Sequence, residues 1–189
     1  MWGSFKMRYI SIDTETGGIG LDKSLLSVAM LVADKDFNIV DSLELFVIPD
    51  DGVFRVSPDG LKINKIDLTR DDFIPYKKAG TVVYDFIKRN SLEGRDKLNV
   101  VGKQVNGDLN HIWDKLISRN TWEQFVSYRI IELTGIARYL QIAGKIPADV
   151  KGGMDSLLEY FGHSNDGAHD ATFDANSNLV VLKEFLKLG

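Results

Sequence analysis

Apolar and polar positions along the 189 residues switch between a period of two and a helical period, and the switches mark out the elements. Arg8–Ile12 alternates into a short apolar run and reads as a strand, Leu25–Ala33 as a second and nearly unbroken aliphatic one. Asn38–Ile48 is a third, with Ile39, Leu43 and Leu45 set among polar residues. Asp34-Lys35-Asp36 between the second and third predicts a hairpin turn, and Pro49-Asp50-Asp51-Gly52 a stop. Val53 to Pro75 shows no clear period. Ala79–Lys88 then carries Val82, Val83, Phe86 and Ile87 on one helical face, Leu98–Val101 reads as a short buried strand, and Leu109–Ile117 repeats Leu109, Ile112, Trp113 and Leu116 at helical spacing. Tyr128–Leu133 predicts a last strand, Ile136–Ile142 and Met154–Tyr160 helices, and Asp170–Leu188 a final helix with Ala171, Ala175, Leu179, Leu182 and Leu186 on one face. Strands alternating with helices predict an α/β protein. With no repeat, low-complexity run or linker, the expectation is a single domain over residues 1–189.

Composition changes this picture little. A hydrophobic content of 44% and a charged content of 26% fit an ordinary globular protein. The absence of cysteine excludes disulfides and thiolate metal sites. Residues 1–8 lack the apolar core of a secretory signal, and the longest apolar stretch, Leu25–Ala33, is too short to span a bilayer, so the expected location is cytoplasmic. A net charge of −4 argues against a general nucleic-acid binder with a basic face. That argument weakens if several of the acids hold cations, because two divalent ions would offset four carboxylates.

Three remote segments supply such acids. Asp13-Thr14-Glu15-Thr16-Gly17 closes the first strand, and because strand side chains alternate, Asp13 and Glu15 share a face. Two like charges side by side are costly without a cation between them. Asp108 follows the Leu98–Val101 strand and opens a helix, where capping is an equally good explanation. His169 and Asp174 are five apart and cannot share one helical face, so His169 belongs to the preceding loop or first turn, Asp170 is the expected N-cap, and Asp174 lies one turn in. Each segment alone has an ordinary structural explanation. Together, four carboxylates and one imidazole are the parts needed to bind two Mg²⁺ or Mn²⁺ ions and activate a water. His111 and His163 read as structural or surface residues, and His163, in the turn Gly162-His163-Ser164-Asn165, has no acid at a telling distance.

The order and spacing of Asp13-Thr14-Glu15-Thr16-Gly17, the segment ending in Asp108, and His169 to Asp174 resemble the DEDD exonucleases, in the DnaQ-like branch with a histidine in its third motif. The other branch places a tyrosine four residues before the last aspartate, where this chain has Asp170. The resemblance covers nearly the whole chain. It implies a ribonuclease H-like fold, a five-stranded mixed sheet flanked by helices on both sides. It also implies 3′-to-5′ release of nucleoside 5′-monophosphates from single-stranded DNA or RNA ends. Carried over by motif position, Asp13, Glu15 and Asp174 would bind a first metal ion, Asp13 would bridge to a second, and Asp108 would hold that one directly or through water. His169 would act as the general base, and Thr16 and Gly17 would lie against the terminal nucleotide. The chain departs from the family at Lys103-Gln104, where His-Asn is frequent, and at Gly107, where an aromatic is. Nothing in it resembles a polymerase, so any polymerase involved would be a separate partner. Two other readings stand beside this one, a nucleic-acid-binding module of the same fold without activity and a hydrolase of short oligonucleotides. DNA against RNA is left open.

Overall fold

The computed structural model describes residues 7–91, 97–167 and 170–189. Its frame is one mixed sheet. Strand β1 (Tyr9–Thr16) lies between β2 (Leu25–Ala33), with which it pairs antiparallel, and β5 (Leu98–Gly102), with which it pairs parallel. Strand β3 (Ile39–Ile48) continues antiparallel from β2, the two-residue β4 (Ile74–Pro75) adds parallel to β3, and β6 (Val126–Glu132) adds parallel to β5. The order is β4-β3-β2-β1-β5-β6, six strands rather than the five expected. The extra one is β4, whose proline confines it to an edge and whose length leaves no periodic signal.

Helices cover both faces of the sheet, and the alternation along β1 decides which residues meet which layer. Ile10 and Ile12 point into a core shared with helix α2 (Tyr76–Asn90) and helix α3 (Asn106–Lys115), where Val83, Phe86, Leu109 and Ile112 are buried. Tyr9 points the other way, into a core built by helix α5 (Leu133–Ile142), helix α6 (Met154–Tyr160) and helix α7 (Ala171–Leu188). Every residue of β2 is buried, as a strand covered on both faces should be. Each aliphatic side chain fully withdrawn from water contributes roughly 1.5–3 kcal/mol. On the α7 side, Ser11 Oγ donates to the carbonyl of Ala175 at 2.7 Å. This buried bond fixes the start of α7 against β1, one strand repeat before Asp13.

Two helices occupy stretches without a readable period. Helix α1 (Pro58–Asn64) lies in the region between β3 and β4, and α4 (Arg119–Phe125) precedes β6. Each is seven residues long and buries a single residue, Asn64 or Trp122, so no apolar face stands out, and each is set by a serine N-cap. Ser57 accepts from the Gly60 N–H with Pro58 at the first helical position, and Ser118 accepts from the Thr121 N–H. Strand β6 starts at Val126 and ends before Leu133, which already belongs to α5. The hairpin between β2 and β3 forms as expected, with Asp34 Oδ1 accepting from the N–H groups of Asp36 and Asn38. No helix among the described residues is long and apolar enough to cross a membrane.

Candidate active site

Asp13 and Glu15 occupy alternate positions at the end of β1 and face α7, whose first turn carries Asp174. One carboxylate oxygen from each of these three residues lies within 4.8 Å of the other two. The shared face of Asp13 and Glu15 follows from strand alternation, and Asp174 reaches them because Ser11 and Ala175 pin α7 to the same strand. Asp170 caps α7, accepting from the Phe173 N–H at 2.9 Å. It also adds its negative charge to the field around Asp13 and Glu15.

Asp108 arrives from the opposite face of the sheet. It sits in the first turn of α3, but the N-cap position belongs to Val105, with no side-chain cap. Its carboxylate turns instead to β1, where Oδ1 accepts from the Thr14 N–H at 3.0 Å and from Thr14 Oγ1 at 2.7 Å. Asp108 is therefore not a helix cap but a group locked to the strand between Asp13 and Glu15. Both bonds fall on Oδ1.

The electrostatics show a site built for positive charge. Burial, and then the charges of Asp108, Asp174, Glu15 and Asp170, hold the Asp13 carboxyl well above the usual range. Burial, and then the charges of Asp174, Asp108 and Asp170, push Glu15 up to about 7. Burial pushes Asp108 up to about 6, against the lowering effect of its Thr14 bonds. Hard divalent cations prefer carboxylate oxygens, and converging acids that resist ionisation fit them.

A test follows from the sign of these shifts. Each group has a folded-state pKa above its unfolded value of about 4, so between the two the native state holds more protons and stability falls as pH rises. For Glu15 and Asp108 this window runs from about 4 to about 7. Mg²⁺ or Mn²⁺ should therefore raise the Tm clearly at pH 8, where Glu15 and Asp108 are ionised, and little at pH 5. Thermal melts with and without EDTA at both pH values measure this, and an equal cation effect at the two would refute it.

Beside the acids lies a cavity of about 590 Å³, lined by Glu15, Thr16, Gly18 and Ile19 from β1 and its following loop, by Gly60, Ile63 and Asn64 from α1, and by Gly107, Asp108 and His111 from α3. Thr16 is held from both ends, its Oγ1 donating to the Gly18 carbonyl and its own carbonyl accepting from Asn64 Nδ2 at 2.8 Å. Gly17 is buried, and its close backbone approach is to the chain itself. A Cβ there would stand 2.5 Å from the Arg55 carbonyl oxygen, and one at Gly60 would stand 2.5 Å from the Gly17 carbonyl oxygen. The Gly17-Gly18 bend and α1 are thus in direct backbone contact. His169 lies outside the described residues. Trp113 and Phe173 are half-buried and pack against the two cores.

Sequence reading missed Thr14, Ser57, Gly60 and Asn64, and it set His111 aside. Thr14 was legible in principle, since the residue between Asp13 and Glu15 must face the layer that contains Asp108. His111, three residues after Asp108, had to share its helical face. The α1 residues gave no signal without the helix that carries them.

No protein-family model matches the chain, and no curated protein does. Solved structures match it closely in shape. E. coli Exonuclease I in complex with a dT13 oligonucleotide is similar over 94% of this chain, with a TM-score of 0.74 and 15% identity. A moderately thermophilic Exonuclease I from Methylocaldum szegediense is similar over 94%, with a TM-score of 0.70 and 16% identity. The chain spans 40% of the length of each. The nuclease domain of 3′hExo, a DEDDh family member bound to rAMP, is similar over 98% of this chain and 94% of its own, with a TM-score of 0.67 and 16% identity. The mixed sheet with helices on both faces and its acids at the end of the central strand is accordingly the ribonuclease H-like fold of the exonucleases.

Proposed function

We propose that this protein is a metal-dependent 3′-5′ exonuclease that releases nucleoside 5′-monophosphates from the ends of single-stranded nucleic acid. The observation that carries this reading is the convergence of Asp13, Glu15 and Asp174 within 4.8 Å, beside a cavity that Asp108 also lines. Asp13, Glu15 and Asp174 would hold one divalent ion, and Asp13 with Asp108 a second. When bound, the pair supplies Lewis-acid contact to the attacking and leaving oxygens of an in-line phosphoryl displacement.

The chain's own residues do the rest. Thr14 holds Asp108 in register with β1, and Ser11 holds α7 so that Asp174 faces Asp13. The cavity takes the terminal nucleotide, with Thr16 in its wall and Gly17 holding the bend that shapes it. His169 accepts the proton of the attacking water. The fold neighbours support the substrate class: E. coli Exonuclease I is seen with dT13 and with dA16 oligonucleotides, and 3′hExo with rAMP. A zinc-bound form of the E. coli enzyme with single-stranded DNA supports the metal.

The test is degradation of matched 5′-labelled DNA and RNA single strands with Mg²⁺ and with Mn²⁺. A ladder shortening from the 3′ end, abolished by EDTA, is expected on at least one of them. Full-length strands under every combination would refute the reading. Tight binding without shortening would point to a binding module, and turnover of dinucleotides alone to a hydrolase of short oligonucleotides.

A further inference from the structure

The cavity beside the carboxylates contains one side chain whose polarity the protein does not use. Five neutral polar side chains line it: Thr14, Thr16, Ser57, Asn64 and His111. Thr14 Oγ1 donates to Asp108, Thr16 Oγ1 donates to Gly18, and Ser57 Oγ donates to the Gly17 carbonyl while capping α1. Asn64 donates to the Thr16 carbonyl and accepts from the Ile66 N–H. His111 alone is unengaged. Its side chain is only 8% exposed, and its Nδ1 is enclosed with no hydrogen-bond partner.

An enclosed imidazole nitrogen without a partner destabilises a fold by roughly 1–3 kcal/mol, and an aliphatic side chain would fill the same place without that cost. Burial first, and then the Lys115 ammonium, lower the His111 pKa, with Asp114 opposing. The ring is therefore neutral near pH 7, with one nitrogen to donate and one to accept.

Position says what it would meet. His111 lies three residues beyond Asp108 on the same face of α3, about 4.5 Å further along the helix axis. The cavity runs from Glu15 and Asp108 to His111, which gives a nucleotide held at the acids room to place its base against this residue. Ile19 and Ile63, both exposed, add apolar surface at the rim of the same cavity. From these contacts, and given the exonuclease reading, we infer that His111 hydrogen-bonds the edge of the terminal nucleobase and is a substrate-positioning residue of this cavity. Nδ1 is closed off from the cavity, so the contact falls to Nε2, which donates or accepts according to the tautomer and so serves any of the four bases; its contribution is to seating the end rather than to choosing it.

NMR titration with Mg²⁺ present separates base from sugar. Wild type is titrated with dAMP, with dCMP and with 2-deoxyribose 5-phosphate, and the variants His111→Leu, His111→Asn and His111→Gln are compared. His111→Leu should weaken both nucleotides roughly 3- to 10-fold, the worth of one neutral hydrogen bond, and leave the sugar phosphate within about twofold. At least one amide variant should restore binding to within about twofold of wild type. On strands, His111→Leu should raise KM by a similar factor with kcat nearly constant. The His111 ring-nitrogen resonances should shift with dAMP and not with the sugar phosphate, a readout that does not depend on any variant folding. The inference is overturned by an unchanged nucleotide affinity in His111→Leu, by an equal loss for the sugar phosphate, by failure of both amides, or by silent ring resonances. Strand degradation with a silent His111 sinks this inference alone, and a responsive His111 without degradation sinks the exonuclease reading alone.

Discussion

Asp13→Asn is expected to reduce strand degradation to background and, at the same time, to raise the Tm of the metal-free protein at pH 8. The two effects have one cause. Asp13 is a carboxylate whose ionisation burial and four acidic neighbours oppose, so charging it costs the fold stability. An amide of the same shape removes the repulsion and also removes the oxygen that the cation needs. Asp174→Ala should abolish activity in the same way, because it takes one corner from the three-carboxylate group. The check is a paired measurement on Asp13→Asn, degradation rate with Mn²⁺ and thermal melting in EDTA. A variant that keeps measurable turnover would show that Asp13 holds no essential ion. A variant that melts lower in EDTA would show that the charge is satisfied by the protein rather than waiting for metal.

His169→Ala is expected to lower kcat by roughly 10²- to 10⁴-fold, the usual worth of a general base. The expectation stands on the motif, since His169 lies outside the described residues. Its distinguishing signature is the pH profile. A base works only when deprotonated, and an ordinary imidazole titrates near 6.5, so the rate at saturating metal should fall as pH drops through roughly that value. In the variant, the residual rate should instead rise with pH without that inflection, following hydroxide. An unchanged kcat, or an unchanged acid limb, would assign the proton to another acceptor.

The class of fold was legible because its long elements carry their period openly. Leu25–Ala33 and the α7 stretch, with Ala171, Ala175, Leu179 and Leu182 on one face, stand in the structure nearly where the pattern put them. What escaped was short. Strand β4 has too few residues for a period, helices α1 and α4 bury one residue each and show no apolar face, and all three exist through caps and tertiary contacts. Among the acids, alternation alone placed Asp13 and Glu15 together. The ambiguity at Asp108 between cap and ligand could not be resolved from its own neighbourhood. It is decided by Thr14, which lies 94 residues away in sequence. Asp170 shows the converse, a local role as N-cap that the local sequence did disclose.

The contact between Gly17 and Gly60 has a bearing on how the specificity of this protein could change. A Cβ on Gly60 would meet the Gly17 carbonyl, and one on Gly17 would meet the Arg55 carbonyl and Val56, so neither glycine can gain even a methyl without moving the neighbouring backbone. The wall of the cavity built by the Gly17-Gly18 bend and α1 is therefore closed to substitution at these two positions. Evolution or engineering that widens or narrows the slot has to work through the rim, at Ile19 and Ile63, whose side chains are exposed and unconstrained by packing.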